Sequence, residues 1–137
     1  MLAGCTLGPY VPPSKMPATG IETAPRVPRL TVALDCGNCA VRQGIPSIIA
    51  ESYAITAAKA GAKIDPGAEA LITVIAYTER SDAARALAGP LAGKDEIRAI
   101  VSYRDKRVAI GDHYYNSWLG IEDIADNLGE MAFDVVK

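Results

Sequence analysis

The sequence predicts an α+β domain in which a small mixed or antiparallel sheet of about four strands carries two helices on one face. Two segments show the 3.6-residue apolar period of helices, and four runs show the composition or alternation of strands. Their order is strand, helix, strand, strand, strand, helix. The length of 137 residues suits one domain of about 100 residues with an extension. We therefore place a single domain at 30–137 and an extension at 1–29.

The first strand and helix are predicted from residues 30–61. Residues 30–34 form a short run of strand-forming residues, and Asp35 and Gly37 supply turn chemistry directly after it. Pro46 suits the first turn of a helix, and Gly61 is a natural C-terminal stop. The helix face expected to pack on the sheet contains Ile48, Ile49, Ser52 and Ile55.

Three further strands are predicted after this helix. Asp65-Pro66-Gly67 predicts a turn, and residues 71–77 are apolar on both faces, as in a central strand. Residues 96–103 alternate between apolar and polar side chains, which predicts a strand with one face in water. Residues 104–107 predict a polar turn into a short strand over 108–110. These last two strands are expected to form an antiparallel hairpin.

The long connection over 79–95 is a candidate partner-binding segment. Gly89-Pro90 interrupts any helical pattern, and loops longer than about 12 residues are usually functional or disordered. Leu87 and Leu91 lie in this segment without a periodic partner that would bury them. We expect both leucines to contact another protein.

The final helix is predicted over 121–136. Apolar residues follow the helical period throughout this segment, and Glu122 and Asp123 lie in the first turn, where the helix dipole favours acidic groups. We expect this helix to pack on the sheet. The polar and aromatic connection before it spans 111–120.

Charge and hydropathy exclude two classes of function. The net charge is −2 and no long run of Lys and Arg is present, so we expect no nucleic-acid binding. No stretch approaches the roughly 18 consecutive apolar residues that a transmembrane helix requires. The folded part is therefore expected to be soluble.

Leu2-Ala3-Gly4-Cys5 resembles the lipobox at the end of a bacterial lipoprotein signal peptide. In that motif small residues admit the peptidase, and the cysteine is acylated before cleavage. The resemblance implies a lipid anchor on Cys5, and Thr6 in place of an aspartate implies sorting to the outer membrane of a Gram-negative cell. An incidental cysteine in a disordered start is the alternative interpretation.

Residues 6–29 are predicted to be a semi-rigid, solvated linker. Six prolines lie in this segment among glycines and threonines, and no apolar period is present. A fully extended polyproline chain of about 24 residues would reach roughly 75 Å. Together with an anchor on Cys5, the linker would let the domain stand away from the membrane.

The chain resembles a group of bacterial envelope lipoproteins that share the fold of the TolB N-terminal domain, the curli secretion lipoprotein and the activator lipoproteins of penicillin-binding proteins. The resemblance rests on the lipobox, the linker, the first strand and turn, the helix that ends in Ala60-Gly61-Ala62-Lys63-Ile64, the second-strand start Ala68-Glu69-Ala70-Leu71-Ile72, and the hairpin and closing helix. Members of this group are mostly not enzymes, which implies a tether, an assembly factor or a component of a secretion machine.

Cys36 and Cys39 form a Cys-x-x-Cys motif after a strand, which is also typical of thioredoxin-like redox proteins. Pro46 places the helix start several residues after Cys39, which removes the dipole that would stabilise a Cys36 thiolate. An oxidising periplasm favours pairing of two nearby cysteines. We expect a structural disulfide, with catalytic redox chemistry as the alternative.

No cofactor or metal is expected. A zinc site needs about four ligands, and the domain offers two cysteines and one histidine. His113 lies beside two tyrosines and could line a pocket, although a single histidine in a polar loop is more often a surface residue. No serine lies in a nucleophile-elbow pattern.

Tyr114, Tyr115 and Trp118 form an aromatic cluster before the final helix. Aromatic side chains with a polar group are favoured at protein interfaces, so these three residues are candidates for partner binding. The alternative, favoured by the low aromatic content, is that Trp118 and one tyrosine cap the core.

These observations predict a lipid-anchored protein at the periplasmic face of the outer membrane, without enzymatic activity, that serves a cell-envelope machine through contacts with an envelope protein. A membrane-tethered thiol-disulfide oxidoreductase and a structural subunit of a secretion or conjugation channel are the alternatives. The sequence does not indicate an oligomeric state.

Overall fold

The computed structural model describes residues 24–81, 93–116 and 118–137. Six elements follow in the order β1 (Arg26–Leu34), α1 (Ile45–Lys59), β2 (Lys63–Thr78), β3 (Asp95–Tyr103), β4 (Lys106–Tyr114) and α2 (Ile121–Val136). The sheet has the strand order β1-β2-β3-β4, with β1 and β2 parallel and the other two pairs antiparallel. The predicted α+β fold, with a mixed four-stranded sheet and two helices on one face, is confirmed.

The core lies between one face of the sheet and the two helices. Alternate residues of β2 and β3 point into it, as the pleat of a strand requires. α1 packs on β1 and β2, α2 packs on β3 and β4, and the helices contact each other. Ser52 Oγ donates a hydrogen bond to Asp126 O across the helix pair. The buried strand residues are Ala70, Ile72, Val74, Ile97, Ala99 and Val101.

Gly129 allows the two helices to approach closely. A Cβ atom at this position would lie 2.5 Å from Ile49 O and 2.7 Å from Tyr53 N. Because these neighbours are backbone atoms, a side chain at residue 129 would force the helices apart.

α1 differs from its prediction in the face that it buries. The residues on its buried face are Ile45, Ile49, Ser52, Tyr53 and Ala57. Ile55 is 54% exposed and Ile48 is half-buried, so the expectation for Ile55 was wrong. α1 is apolar around most of its circumference, and periodicity therefore does not select one face. The helix ends as predicted near Gly61, whose φ of 75° lies in the left-handed region that glycine adopts readily.

Three strands are longer than predicted by four residues or more. β1 begins at Arg26 rather than residue 30, because Pro28 is tolerated in an outer strand. The predicted turn at Asp65-Pro66-Gly67 lies inside β2 as an irregularity, where the pairing with β1 shifts from Asp65 to Glu69. β4 continues to Tyr114, so the first four residues of the predicted connection over 111–120 are strand.

Two ends of the sheet can be distinguished. The loop end is where β1, β2 and β4 finish, β3 begins and both helices begin. The entry end is where β1, β2 and β4 begin, β3 finishes and both helices finish. Neither helix is long and apolar enough to cross a bilayer, within the part of the chain that the structure describes.

Candidate partner-binding surface

A buried ion pair at the loop end joins the two ends of the 79–95 connection. Arg80 follows β2, and Asp95 is the first residue of β3. Arg80 Nη2 lies 3.3 Å from Asp95 Oδ2, with the two side chains 2% and 0% exposed. The Arg80 backbone N–H also donates to Asp95 Oδ1 at 2.7 Å. The pair therefore holds both ends of the connection together.

The same guanidinium binds the aromatic segment. Arg80 Nη1 donates to Tyr115 O and Arg80 Nη2 donates to Asn116 O, both at 2.7 Å. A buried charge is costly unless it is paired and hydrogen-bonded, and these contacts satisfy Arg80. Arg80 thus holds the backbone of Tyr115 and Asn116 beside the two ends of the long connection.

The start of α2 holds the other side of the aromatic segment. Leu119 N donates to Asn116 Oδ1 at 2.7 Å, and Gly120 N donates to Asp123 Oδ2 at 2.8 Å. Asp123 is the third residue of α2, where a carboxylate accepts a backbone hydrogen bond and complements the helix dipole. The backbone around Trp118 is therefore fixed on both sides.

The three aromatic residues of the predicted cluster have different environments. Trp118 is 80% exposed and Tyr115 is 48% exposed. Tyr114 is half-buried against the core, and its hydroxyl accepts a hydrogen bond from Asn127 Nδ2 at 3.0 Å. Core capping was therefore the wrong interpretation for Trp118, whereas Tyr114 fits it. Partner binding by these three residues stays a prediction.

His113 lies on the exposed side of β4. Its ring meets the Tyr115 ring edge-on, with 5.3 Å between the centroids. The histidine therefore extends the exposed aromatic surface. No group of three or more His, Cys, Asp or Glu side chains in ranges 24–81, 93–116 and 118–137 is arranged to hold a metal ion.

Three predicted site residues fall outside the described ranges. Cys5 precedes residue 24, and Leu87 and Leu91 lie within 82–92. The structure does describe both ends of the connection that contains Leu87 and Leu91. These ends, at Arg80 and Asp95, lie beside the aromatic residues.

A second polar cluster connects the cysteine loop to the same end. Arg42 forms ion pairs with Glu79 and Glu122, and Tyr77 OH donates to Glu79 Oε1 at 2.7 Å. Burial raises the pKa of Tyr77 to about 12, and the hydrogen bond to Glu79 adds to this shift. The hydrogen bond from Arg42 to the Glu79 carboxylate raises the pKa of Arg42. Arg42 thereby ties residues 35–44 to β2 and α2.

Cys36 and Cys39 are joined by a disulfide, with their Cα atoms 5.6 Å apart. Cys39 N donates to Cys36 O at 3.2 Å, which closes the turn between them. The disulfide borders an open hollow of about 530 Å³ together with Leu34 and Val41. α1 begins at Ile45, six positions after Cys39, so neither cysteine lies in the first turn of a helix. This geometry favours the structural role over the redox role, and both remain predictions.

Arg80, Asp95, Arg42 and Asn127 were not identified from the sequence. Arg80 and Asp95 lie 15 positions apart, and their pairing depends on how β2 and β3 are aligned. The one available signal was that Arg80 follows a strand rich in apolar residues and that Asp95 begins another.

The sequence matches no protein-family model, and it matches no curated protein. Among solved structures, the chain is similar to the PelC dodecamer from Paraburkholderia phytofirmans, with a TM-score of 0.51 and 12% sequence identity. The match covers 82% of this chain and 88% of that chain. At this identity the similarity concerns the fold alone.

Proposed function

We propose that this chain is a lipoprotein, anchored through Cys5 at the periplasmic face of the outer membrane in a Gram-negative bacterium. There its domain acts without enzymatic activity, as an accessory or assembly component of a cell-envelope machine. The lipobox-like Leu2-Ala3-Gly4-Cys5 supports the anchor. The loop end supports the contact with an envelope protein.

The exposure of Trp118 is the observation that carries the binding role. A tryptophan that is 80% exposed leaves a large apolar surface in water, and tryptophan is enriched among the residues that contribute most to protein interfaces. Hydrogen bonds already hold the backbone on either side of it, at Asn116, Leu119 and Gly120. Backbone that is ordered before binding loses less conformational entropy on binding, which favours affinity.

Acylation of Cys5 tests the anchor. The full-length precursor should incorporate labelled palmitate and fractionate with outer membranes, and Cys5→Ser should abolish both. Cys36→Ser is the control, because it also replaces one cysteine by serine but leaves the lipobox-like residues 2–5 intact. Outer-membrane fractionation of the Cys5→Ser protein would contradict the proposal.

Replacement of Trp118 tests the binding surface. Trp118→Ser should abolish co-purification of the envelope partner by affinity-tagged full-length protein from detergent-solubilised envelopes, with thermal stability nearly unchanged. Ile55→Ser is the control, because Ile55 is also an exposed large apolar residue and lies on α1. Equal loss of the partner with both variants, or none with either, would contradict a specific role of the loop end.

A subunit of a secretion or conjugation channel is the second candidate function. The similarity in fold to the PelC dodecamer favours it, and β1 and β4 are the outer strands of the described sheet. A closed ring would use a head-to-tail interface between copies. The molar mass of detergent-solubilised, acylated protein, measured by light scattering, distinguishes the candidates: a monomer contradicts the channel subunit.

A further inference from the structure

The entry end gathers half of the basic residues of the chain. β1, β2 and β4 begin there, the β3–β4 turn lies there, and both helices end there. Arg26 is paired with Lys63 in the sheet, and Ser102 with Arg107. Around a hollow of about 350 Å³ lie Arg26, Arg104, Lys106 and Lys137. Of the 14 Lys and Arg residues in the sequence, the seven at this end are Arg26, Lys59, Lys63, Arg104, Lys106, Arg107 and Lys137.

Few carboxylates accompany these cations. Asp65, Asp105 and Asp134 lie at the same end, and Lys137 pairs with Asp134 at 3.1 Å. Lys106 Nζ donates to Val135 O at 3.1 Å, at the end of α2. Within the described ranges, Arg26, Lys63 and Arg107 form no ion pair, and all seven basic side chains belong to exposed residues. The entry end therefore carries a net positive charge although the whole chain is at −2.

Arg104 occupies a backbone position that arginine seldom adopts. Its φ is 57°, in the left-handed region where glycine and asparagine are favoured. The residue forms the tight β3–β4 turn with Asp105, and its guanidinium lies 4.9 Å from the centroid of the Tyr103 ring. An arginine at this position keeps a cation at the tip of the hairpin against the local backbone preference.

The described chain also enters the domain at this end. Lys63 N donates to Pro25 O at 2.8 Å, which fixes the chain immediately before β1. Cys5 lies 20 positions before Pro25 in the sequence. If Cys5 is acylated, as proposed above, the chain from the anchor reaches the domain at its most basic end.

We propose that the entry end docks on the anionic phospholipid headgroups of the leaflet that holds the anchor. Phosphate groups are the complement of exposed Lys and Arg side chains, and each such side chain near an anionic membrane strengthens binding about fivefold. The attraction decays within about 8 Å at physiological salt, so the basic face must lie against the surface. Docking at the entry end directs the loop end, with Trp118, away from the membrane.

Vesicle binding of full-length Cys5→Ser protein tests this inference without the anchor. Partitioning should be weak on phosphatidylcholine vesicles, increase with added phosphatidylglycerol, and decrease at high salt. The variant that combines Arg26→Gln and Arg104→Asn should bind phosphatidylglycerol vesicles about 10- to 30-fold more weakly. Asparagine is chosen because it tolerates the positive φ at residue 104.

The matched control combines Lys94→Gln and Arg98→Gln, which removes two cations near the loop end. It should keep binding within about twofold, because Lys94 precedes β3 and Arg98 lies in its first half, whereas the entry end is where β3 finishes. The melting temperature of each variant shows whether it folds. If the first pair of substitutions reduces folding, Lys63→Gln with Arg107→Gln provides a second pair at the entry end. Circular dichroism should show the same secondary structure in all of them.

Three results would overturn the inference. The first is equal partitioning on vesicles with and without phosphatidylglycerol. The second is a loss of binding in the Lys94 and Arg98 control that equals the loss in the entry-end variants. The third is a loss of binding in Trp118→Ser while the entry-end variants still bind. Because the protein carries Cys5→Ser, these results are independent of palmitate labelling. A failed anchor and a failed docking surface are therefore distinguishable.

Discussion

The two ends of the sheet place charge in opposite ways. At the loop end, Arg80 and Asp95 are buried together, and Arg80 makes further hydrogen bonds to Tyr115 O and Asn116 O. At the entry end, seven basic residues are exposed around the start of β1, and few of them are paired. The loop end thus buries a charged pair that holds its segments together, whereas the entry end exposes its basic side chains to solvent.

This difference separates a structural role from a binding role. A buried ion pair is strongly destabilising when one partner is removed, because the other charge stays in a poorly solvated site. Exposed charges contribute little to stability, but they act on anything charged that approaches the surface. We therefore expect substitutions in the buried Arg80–Asp95 pair to change folding, and substitutions of the exposed entry-end cations to change membrane binding.

The largest effect on stability is expected from Arg80→Met. The substitution removes the guanidinium that faces the buried Asp95 carboxylate and the carbonyls of residues 115 and 116. We expect the free energy of unfolding to decrease by about 3–5 kcal/mol, measured by urea denaturation. Arg98→Met, on the exposed side of β3, should change it by less than about 0.5 kcal/mol. A loss below about 1 kcal/mol for Arg80→Met would contradict the comparison.

Alkaline unfolding extends the comparison to tyrosine. Tyr53 is buried and donates its hydroxyl hydrogen to Pro28 O, and burial raises its pKa to about 12. A raised folded-state pKa gives stability that is complete below the unfolded pKa near 10 and is lost as pH rises through 12. We expect the free energy of unfolding to decrease on the order of 1–2 kcal/mol over this interval. Tyr77, whose pKa is also raised to about 12, contributes over the same interval. Tyr53→Phe should therefore reduce this dependence without abolishing it, and an unchanged slope would contradict the role of Tyr53.

Reduction of the Cys36–Cys39 disulfide, which also lies toward the loop end, should lower the free energy of unfolding by a smaller amount. The bond closes a short loop, so it removes little entropy from the unfolded chain, and we expect a loss of about 1–2 kcal/mol. Neither form should reduce insulin or oxidise a peptide dithiol at a catalytic rate, because no helix begins at the cysteines. Rapid turnover in either assay would favour the oxidoreductase over the proposed function.

The smallest effect on stability is expected from the exposed Arg29–Glu69 pair. The hydrogen bond from the Thr31 hydroxyl lowers the pKa of Glu69 most, and the charge of Arg29 lowers it further. This carboxylate therefore favours the folded state above its unfolded pKa, and the contribution is lost as pH falls through the lowered pKa. Thr31→Val and Arg29→Ala should each raise the pKa of Glu69, as followed by NMR titration. An unchanged pKa in Thr31→Val would contradict the role of the hydroxyl.

Local pattern predicted the elements of the fold but not their full extent. α2 was predicted over 121–136 and is found at Ile121–Val136, because one apolar face alternates clearly with a charged face. β2 was predicted over 71–77 and begins at Lys63, because pairing with β1 holds residues 63–65 extended despite Pro66 and Gly67. Strand ends depend on the neighbouring strand, which is distant in sequence.

The sequence by itself determined the fold class, the helical segments and the candidate segments of the loop end. The tertiary structure alone decided that Arg80 is buried against Asp95, that Trp118 is exposed while Tyr114 packs inward, and that cations scattered from residue 26 to residue 137 meet at the entry end. The physical reason is that helical and strand periods are local properties of the chain. Burial and charge proximity, in contrast, depend on which strand ends, turns and helix termini the sheet brings together.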